Sequence, residues 1–266
     1  MRRALQSKWH CVLAVAGVLV AALLILPAQA NCADPASSNT ADPSGNSVEM
    51  FAGIQQGIIS VKVILKDSTQ CRILIENKTD KPLSVKLPAA FGATPVLAQA
   101  AAGGAAKAPQ PVGGGGGGGM GGMGGGGMGM MNLLPEKVGQ IKATTVCLEH
   151  GKGEPYAKIP YEIRPIETVT AKPEVQELCR ALGDGINQRV AQIVAWHFNN
   201  NMTWEQLAAK QYRFANGGGT PYFSSDEIKA AMALSVVISR RAIDRRQAAV
   251  STTPSASTSS PSVAPN

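Results

Sequence analysis

Histidine, aromatic residues and paired-cysteine motifs are scarce in this 266-residue chain, and each scarcity closes off a class of function. There are three histidines, of which His150 and His197 lie beyond residue 30. General acid–base chemistry therefore has few candidates, because histidine is its commonest agent near neutral pH. No Cys-x-x-Cys and no His-x-x-x-His occurs, so a structural zinc site lacks ligands at the usual spacings. Aromatics make up 5% of the residues, and none interleaves with the densest basic stretch, Arg240 to Arg246. A nucleic-acid footprint is a clustered basic face with stacking rings, so nucleic acid is not an expected partner. Near the end of a predicted helix those arginines suit the helix dipole instead.

Long apolar runs are also rare, and the one that exists is at the start. Arg2, Arg3 and Lys8 precede sixteen apolar residues from Cys11 to Leu26, then Pro27 and the small-x-small triplet Ala28-Gln29-Ala30. This reads as a signal peptide over residues 1–30, cleaved after Ala30. An uncleaved anchor is the alternative, although a spanning helix needs about 20 apolar residues. Export to the periplasm or beyond is expected, with membrane contact only through this segment. Removing three basic residues takes the net charge from +7 to +4 (7 − 3 = 4), a mild and scattered surplus. Four cysteines then remain, Cys32, Cys71, Cys147 and Cys179. In an oxidising compartment, Cys71 and Cys147 are a disulfide candidate, each within a predicted strand.

What is abundant is glycine, and 14 of the 29 glycines crowd between residues 113 and 129. A phosphate cradle needs glycines at set positions before a helix. No Gly-Lys-Ser/Thr follows, and the next segment reads as a strand. Met120, Met123, Met128, Met130 and Met131 punctuate the tract, and thioethers suit Cu(I). Ordering a polyglycine loop costs about 1–2 kcal/mol per residue, and no histidine or cysteine lies close by in sequence to share the coordination. The plainer expectation is a low-complexity insertion over 99–132, which a fold tolerates because closure entropy grows only logarithmically with loop length.

Around this insertion the periodicity splits in two. Ile59, Val61, Val63 and Leu65 fall on one face of a strand with Ser60, Lys62 and Lys66 on the other; Cys71, Ile73 and Ile75 share a face, and Leu83, Val85 and Leu87 repeat the alternation. The stretches GQIKATTVCLEHGK and KIPYEIRPIE are again strand-like. Beyond residue 170 the period becomes helical, with Pro173 at a first turn, a capping box Thr203-Trp-Glu-Gln206, and another at Ser224-Ser-Asp-Glu227. The last of these launches a helix predicted to carry Ile228, Met232, Val236 and Ile243 toward the core. The expected fold class is α+β. A disordered linker (31–47) precedes a small antiparallel β-sandwich (48–170) with its inserted loop. A helical half of about four helices (171–250) and a Ser/Thr/Pro tail (251–266) follow. The helices form a bundle of their own or pack on the sandwich.

CLEHGKGEP sets Cys147, Glu149 and His150 close together, but strand alternation points Cys147 and His150 to opposite faces. His197 reaches Cys147 only by long-range folding and reads as a packed histidine bonded to backbone. Trp196 and Trp204 flank an Asn-rich turn, and are either core or an exposed aromatic contact.

Four segments together carry a resemblance. VCLEHGKGEP, Ala191-Gln192 with Ala195-Trp196-His197, Met202-Thr203-Trp204-Glu205-Gln206-Leu207-Ala208, and Pro221-Tyr222-Phe223-Ser224 resemble a group of uncharacterised exported proteins of planctomycete-type bacteria. The resemblance spans about residues 55 to 240 and implies a secreted protein with a glycine-rich insertion, but no activity. A weaker likeness is to thioester adhesin domains, in which a Cys side chain condenses with a Gln amide. Cys147 and Gln192 would be the analogues here, although the Thr-Gln-x-Ala motif is absent. The expected function is a non-enzymatic envelope or extracellular interaction module without a cofactor, bound to some other envelope component. Cu(I) binding and a hydrolase activity are the alternatives.

Overall fold

Strands form where the alternation runs, and helices where the period lengthens to 3.6. The computed structural model describes residues 46–96, 108–116 and 129–252. The strand-rich part comprises β1 (Ser47–Glu49), α1 (Met50–Gln55), β2 (Ile59–Leu65), β3 (Gln70–Asn77), β4 (Leu83–Lys86), β5 (Ala90–Pro95), β6 (Val112–Gly115), β7 (Met130–Leu133), β8 (Val138–Cys147) and β9 (Tyr161–Pro165). It is followed by α2 (Ile166–Val169), α3 (Pro173–Gly183), α4 (Gln188–Asn200), α5 (Trp204–Ala208), the hairpin β10 (Gln211–Arg213) and β11 (Gly219–Pro221), and α6 (Ser225–Thr252). The mixed α+β character holds. The described residues contain six helices rather than about four, because α1 and α2 flank the strands at either end.

The sandwich expectation is corrected. Six strands close into a barrel in the order β2-β3-β8-β6-β5-β9, and β1-β4-β7 form a separate three-stranded sheet. Closure rests on the pairing of β2 with β9 at Val63 and Tyr161. Alternation fixes which face of a strand is buried but not which strand lies beside it, so sandwich and barrel look alike in sequence. Ile59, Val63, Leu65, Ile73, Ile75, Phe91 and Val112 are all buried, and each such side chain stabilises by about 1.5–3 kcal/mol. The β2–β3 turn is held by Asp67, whose carboxylate accepts from the backbone of Thr69 and Gln70 at 2.8 and 3.1 Å. Asn77, fully buried, closes the other end of β3 by donating to the carbonyls of Lys81, Leu133 and Leu134.

The glycine tract is not all insertion. Val112–Gly115 is the barrel strand β6, buried along its length and paired with β5 on one side and β8 on the other. Glycine is required there because α3 lies almost on the backbone. A Cβ at Gly113 would stand 2.5 Å from Cys179 Sγ, and one at Gly115 would overlap the backbone nitrogen of Gly183. Residues 99–107 and 117–128 of the expected insertion lie outside the described residues, as do residues 97–98, the signal segment, nearly all of the linker and residues 253–266 of the tail.

The helices pack on the barrel and on one another: α3 on β6, α4 on β8, and α6 across α3 and α4. Both capping boxes form. Thr203 and Gln206 bond reciprocally, as do Ser224 and Glu227. The buried face of α6 is Ile228, Ala231, Ser235, Ile238 and Ala242. Met232, Val236 and Ile243, expected to point inward with Ile228, are exposed instead. The inner face thus alternates the small residues Ala231, Ser235 and Ala242 with Ile228 and Ile238 where α6 packs on α3 and α4.

Candidate functional site

The backbone of β8 outruns its neighbour, and that mismatch builds the site. β3 begins at Gln70, opposite Thr144, and Thr69 O accepts the last bond, from Thr145 N. Leu148 N donates to Pro111 O on the β6 side. Successive strand residues alternate in hydrogen-bonding direction, so the N–H and C=O of Cys147 face the edge that β3 has left empty. Buried backbone groups must find partners, and here a side chain supplies them. Cys147 N donates to Gln192 Oε1 at 2.8 Å, and Gln192 Nε2 donates to Cys147 O at 2.8 Å. Cys147 and Gln192 are 2% and 6% exposed.

Gln192 is one of four amide side chains that α4 lays along this segment. Gln188 Nε2 donates to Thr145 O at 3.0 Å, Asn199 Nδ2 to Leu148 O at 2.7 Å, and Asn200 Oδ1 accepts from His150 N at 3.2 Å. Sequence reasoning missed these three. The signal that could have found them is an amide stripe at 188, 192 and 199, spaced for one face of a helix otherwise apolar. Among the four, Gln192 alone bonds both the N–H and the C=O of a single residue, and that residue carries a thiol. Asn199 also makes two bonds, but its second accepts from the Thr170 hydroxyl at 2.8 Å. Burial pushes the Cys147 thiol up to about 12, with the negative charges of Glu154 and Asp67 adding to the effect.

Aromatic and basic side chains gather around Trp196, beside the pair. Trp196, one turn beyond Gln192 on α4, is 6% exposed. Its ring meets His150 edge-on at 4.8 Å, and Tyr222 and Phe223 lie 6.0 and 5.9 Å away. Lys210 Nζ sits 5.2 Å from the Trp196 ring and 4.9 Å from the Tyr222 ring, and donates to His150 Nε2 at 3.0 Å. The β10–β11 hairpin contributes Tyr212, stacked on Tyr222 at 4.3 Å.

The other candidates fall apart in space. The Cys71–Cys147 disulfide is not formed, and Cys71, Cys147 and Cys179 are all buried and outside any disulfide. Cys71 pairs with Ala143, which leaves Cys147 four residues further along β8, roughly 13 Å away at the rise of a strand. A disulfide needs Cα atoms within about 7 Å. His197 does not join Cys147 either: its Nδ1–H donates to Met202 O at 2.8 Å, and its ring stacks on Trp204 at 4.0 Å. Trp196 is core rather than an exposed contact, while Trp204 is half-buried against the core. Met130 and Met131 lie in β7, opposite Lys86 and Val85. As strand neighbours they face opposite sides and cannot wrap one ion. Met120, Met123 and Met128 lie outside the described residues. The arginines near the end of α6 are ion-paired: Arg240 with Asp244, Arg241 with Asp184, Arg245 with Glu177 and Arg246 with Glu174.

Compared with known proteins, the chain matches no family model, no curated protein and no solved structure.

Proposed function

We propose that this protein is an exported, non-enzymatic attachment module of the cell envelope or extracellular space, and that its bond-forming element is an internal thioester between Cys147 and Gln192. The observation that carries this reading is the two-edged clasp of the Gln192 amide by the backbone of Cys147 itself, at 2.8 Å on each edge. The clasp holds the amide carbon beside a residue whose side chain is a thiol, in a water-poor setting where orientation counts for most. It also agrees with the weak likeness to thioester adhesin domains, drawn from these same two residues.

The chemistry balances without an added reagent. The sulfur of Cys147 bonds to Cδ of Gln192, the C–N bond breaks, and the thiol proton leaves with the nitrogen as ammonia. Cys147 N–H polarises the carbonyl through Oε1, and Cys147 O loses its donor when Nε2 departs. An external amine then attacks the thioester carbon, forms an amide on Gln192 and returns the sulfur to a thiol. One chain makes one bond, which is attachment rather than turnover.

The test is amine capture. The full chain, purified without thiols and incubated with methylamine, is expected to gain one methylamide at residue 192 and to reveal one new thiol at Cys147. Cys147→Ala is expected to do neither. An unlabelled wild-type chain whose Cys147 thiol is already free would remove the reading and leave Gln192 a structural tie.

A further inference from the structure

Among the described residues, one buried side-chain polar atom has no hydrogen-bond partner, the indole Nε1 of Trp196. Such a donor is costly to leave unmet, and this one belongs to a residue 6% exposed. It lies one turn from Gln192 on α4. Helical side chains lean toward the N-terminus, so the ring at 196 covers the turn that carries residue 192. From the other side, His150, three residues beyond Cys147, packs edge-on against the same ring at 4.8 Å. The indole is therefore bracketed by the two segments that bear the reacting groups.

The geometry points to Trp196 Nε1–H as an oxyanion donor for bond exchange at Gln192 Cδ, an assignment that rests on the thioester reading above. In the resting amide, Oε1 already accepts from Cys147 N. When sulfur adds to Cδ the carbon becomes tetrahedral, the oxygen takes a full negative charge and an additional acceptor lobe, and a second donor is needed. A donor left unpaired in the ground state and satisfied only in the intermediate favours the intermediate alone, which is what accelerates a step. The same oxygen carries the charge when an amine later attacks, so one donor serves both steps. The amide nitrogens of Gln188 and Asn199 on the same helix are already bonded to backbone carbonyls, whereas the Trp196 N–H has no partner.

The experiment compares the full chain with Trp196→Phe, and with a chain whose Trp196 indole is replaced by benzothiophene, which keeps the ring system and removes the N–H. Three quantities are read: the fraction of chain carrying the thioester, the rate of methylamine incorporation, and the melting temperature. Loss of one oxyanion donor is expected to slow both formation and aminolysis by about 100-fold. The benzothiophene chain is expected to melt no lower than wild type, because the N–H it loses is unpaired. A purely packing role would give the opposite pattern, with unchanged rates in the benzothiophene chain, and would overturn the assignment while leaving the thioester in place. A wild-type chain with no thioester would overturn both. Should Trp196→Phe fail to fold, the benzothiophene chain alone decides between these outcomes.

Discussion

At the scale of single residues, two positions matter beyond their size. Until a thioester forms, Gln192 satisfies both backbone groups of residue 147, so in a Cys147→Ala background, which keeps the amide, adding Gln192→Ala leaves a buried N–H and a buried C=O unmet. The expected cost is on the order of 2–4 kcal/mol, read as a lower urea midpoint with an unchanged slope. Gln192→Glu should recover part of it, since its Oε1 still accepts from the backbone N–H of residue 147. Gly115 is the second position. Gly115→Ala meets the backbone of α3 at Gly183, which cannot step aside, whereas Gly113→Ala meets the side chain of Cys179. Gly115→Ala is therefore expected to be the more destabilising, by several kcal/mol, and equal melting temperatures for the two variants would contradict the packing of α3 on β6. That contact also explains what was legible at this scale. Glycine carries no side-chain signal, so a run of it looks the same whether it is slack or pressed between a strand and a helix. The pairing of Cys147 with Gln192 stood out only through a distant likeness, because the empty edge that joins them is a property of strand lengths.

At the scale of elements, α6 is fastened to α3 by charge as well as by its narrow apolar face. Arg245 bonds Glu177 through Nε and Nη2 at 2.7 and 3.3 Å, and the Glu177 side chain is 5% exposed. Burial works to raise the pKa of Glu177, but the guanidinium groups of Arg245, Arg180 and Arg241 together outweigh it and hold it below the ordinary 4.5. A lowered folded-state pKa stabilises fully above the unfolded value and is lost as pH falls through the folded one. The melting temperature should therefore drop more steeply below about pH 4.5 in wild type than in Glu177→Gln. Arg245→Ala strands a buried carboxylate that Arg180, at 3.5 Å, relieves only in part. It is expected to cost about 2 kcal/mol at neutral pH, and a cost within error of zero would show that Arg180 suffices. The arginine cluster and the local Arg240–Asp244 pair were visible in sequence, but the other partners were not, because Glu174 and Glu177 on α3 and Asp184 at its end lie some sixty to seventy residues earlier.

At the scale of the whole molecule, α+β composition, the alternating strands β2, β3, β4, β8 and β9 and both capping boxes were readable, because each is set by local periodicity or by hydrogen bonds three residues apart. Closure was not. It depends on Val63 meeting Tyr161 and on a wall strand, Val112–Gly115, with no periodic signal. The fold thus leaves one strand of its barrel overhanging at Cys147, and a helix covers the overhang with an amide. Whether that amide is a tie or a reactive bond is the central question. The most direct measurement is the intact mass of the untreated chain, freshly purified in the absence of thiols and amines. A thioester expels ammonia, so the chain is expected to be about 17 Da lighter than its sequence requires, with the deficit confined to linked peptides containing Cys147 and Gln192. A mass equal to the sequence value, with an unmodified glutamine at 192, would contradict the account.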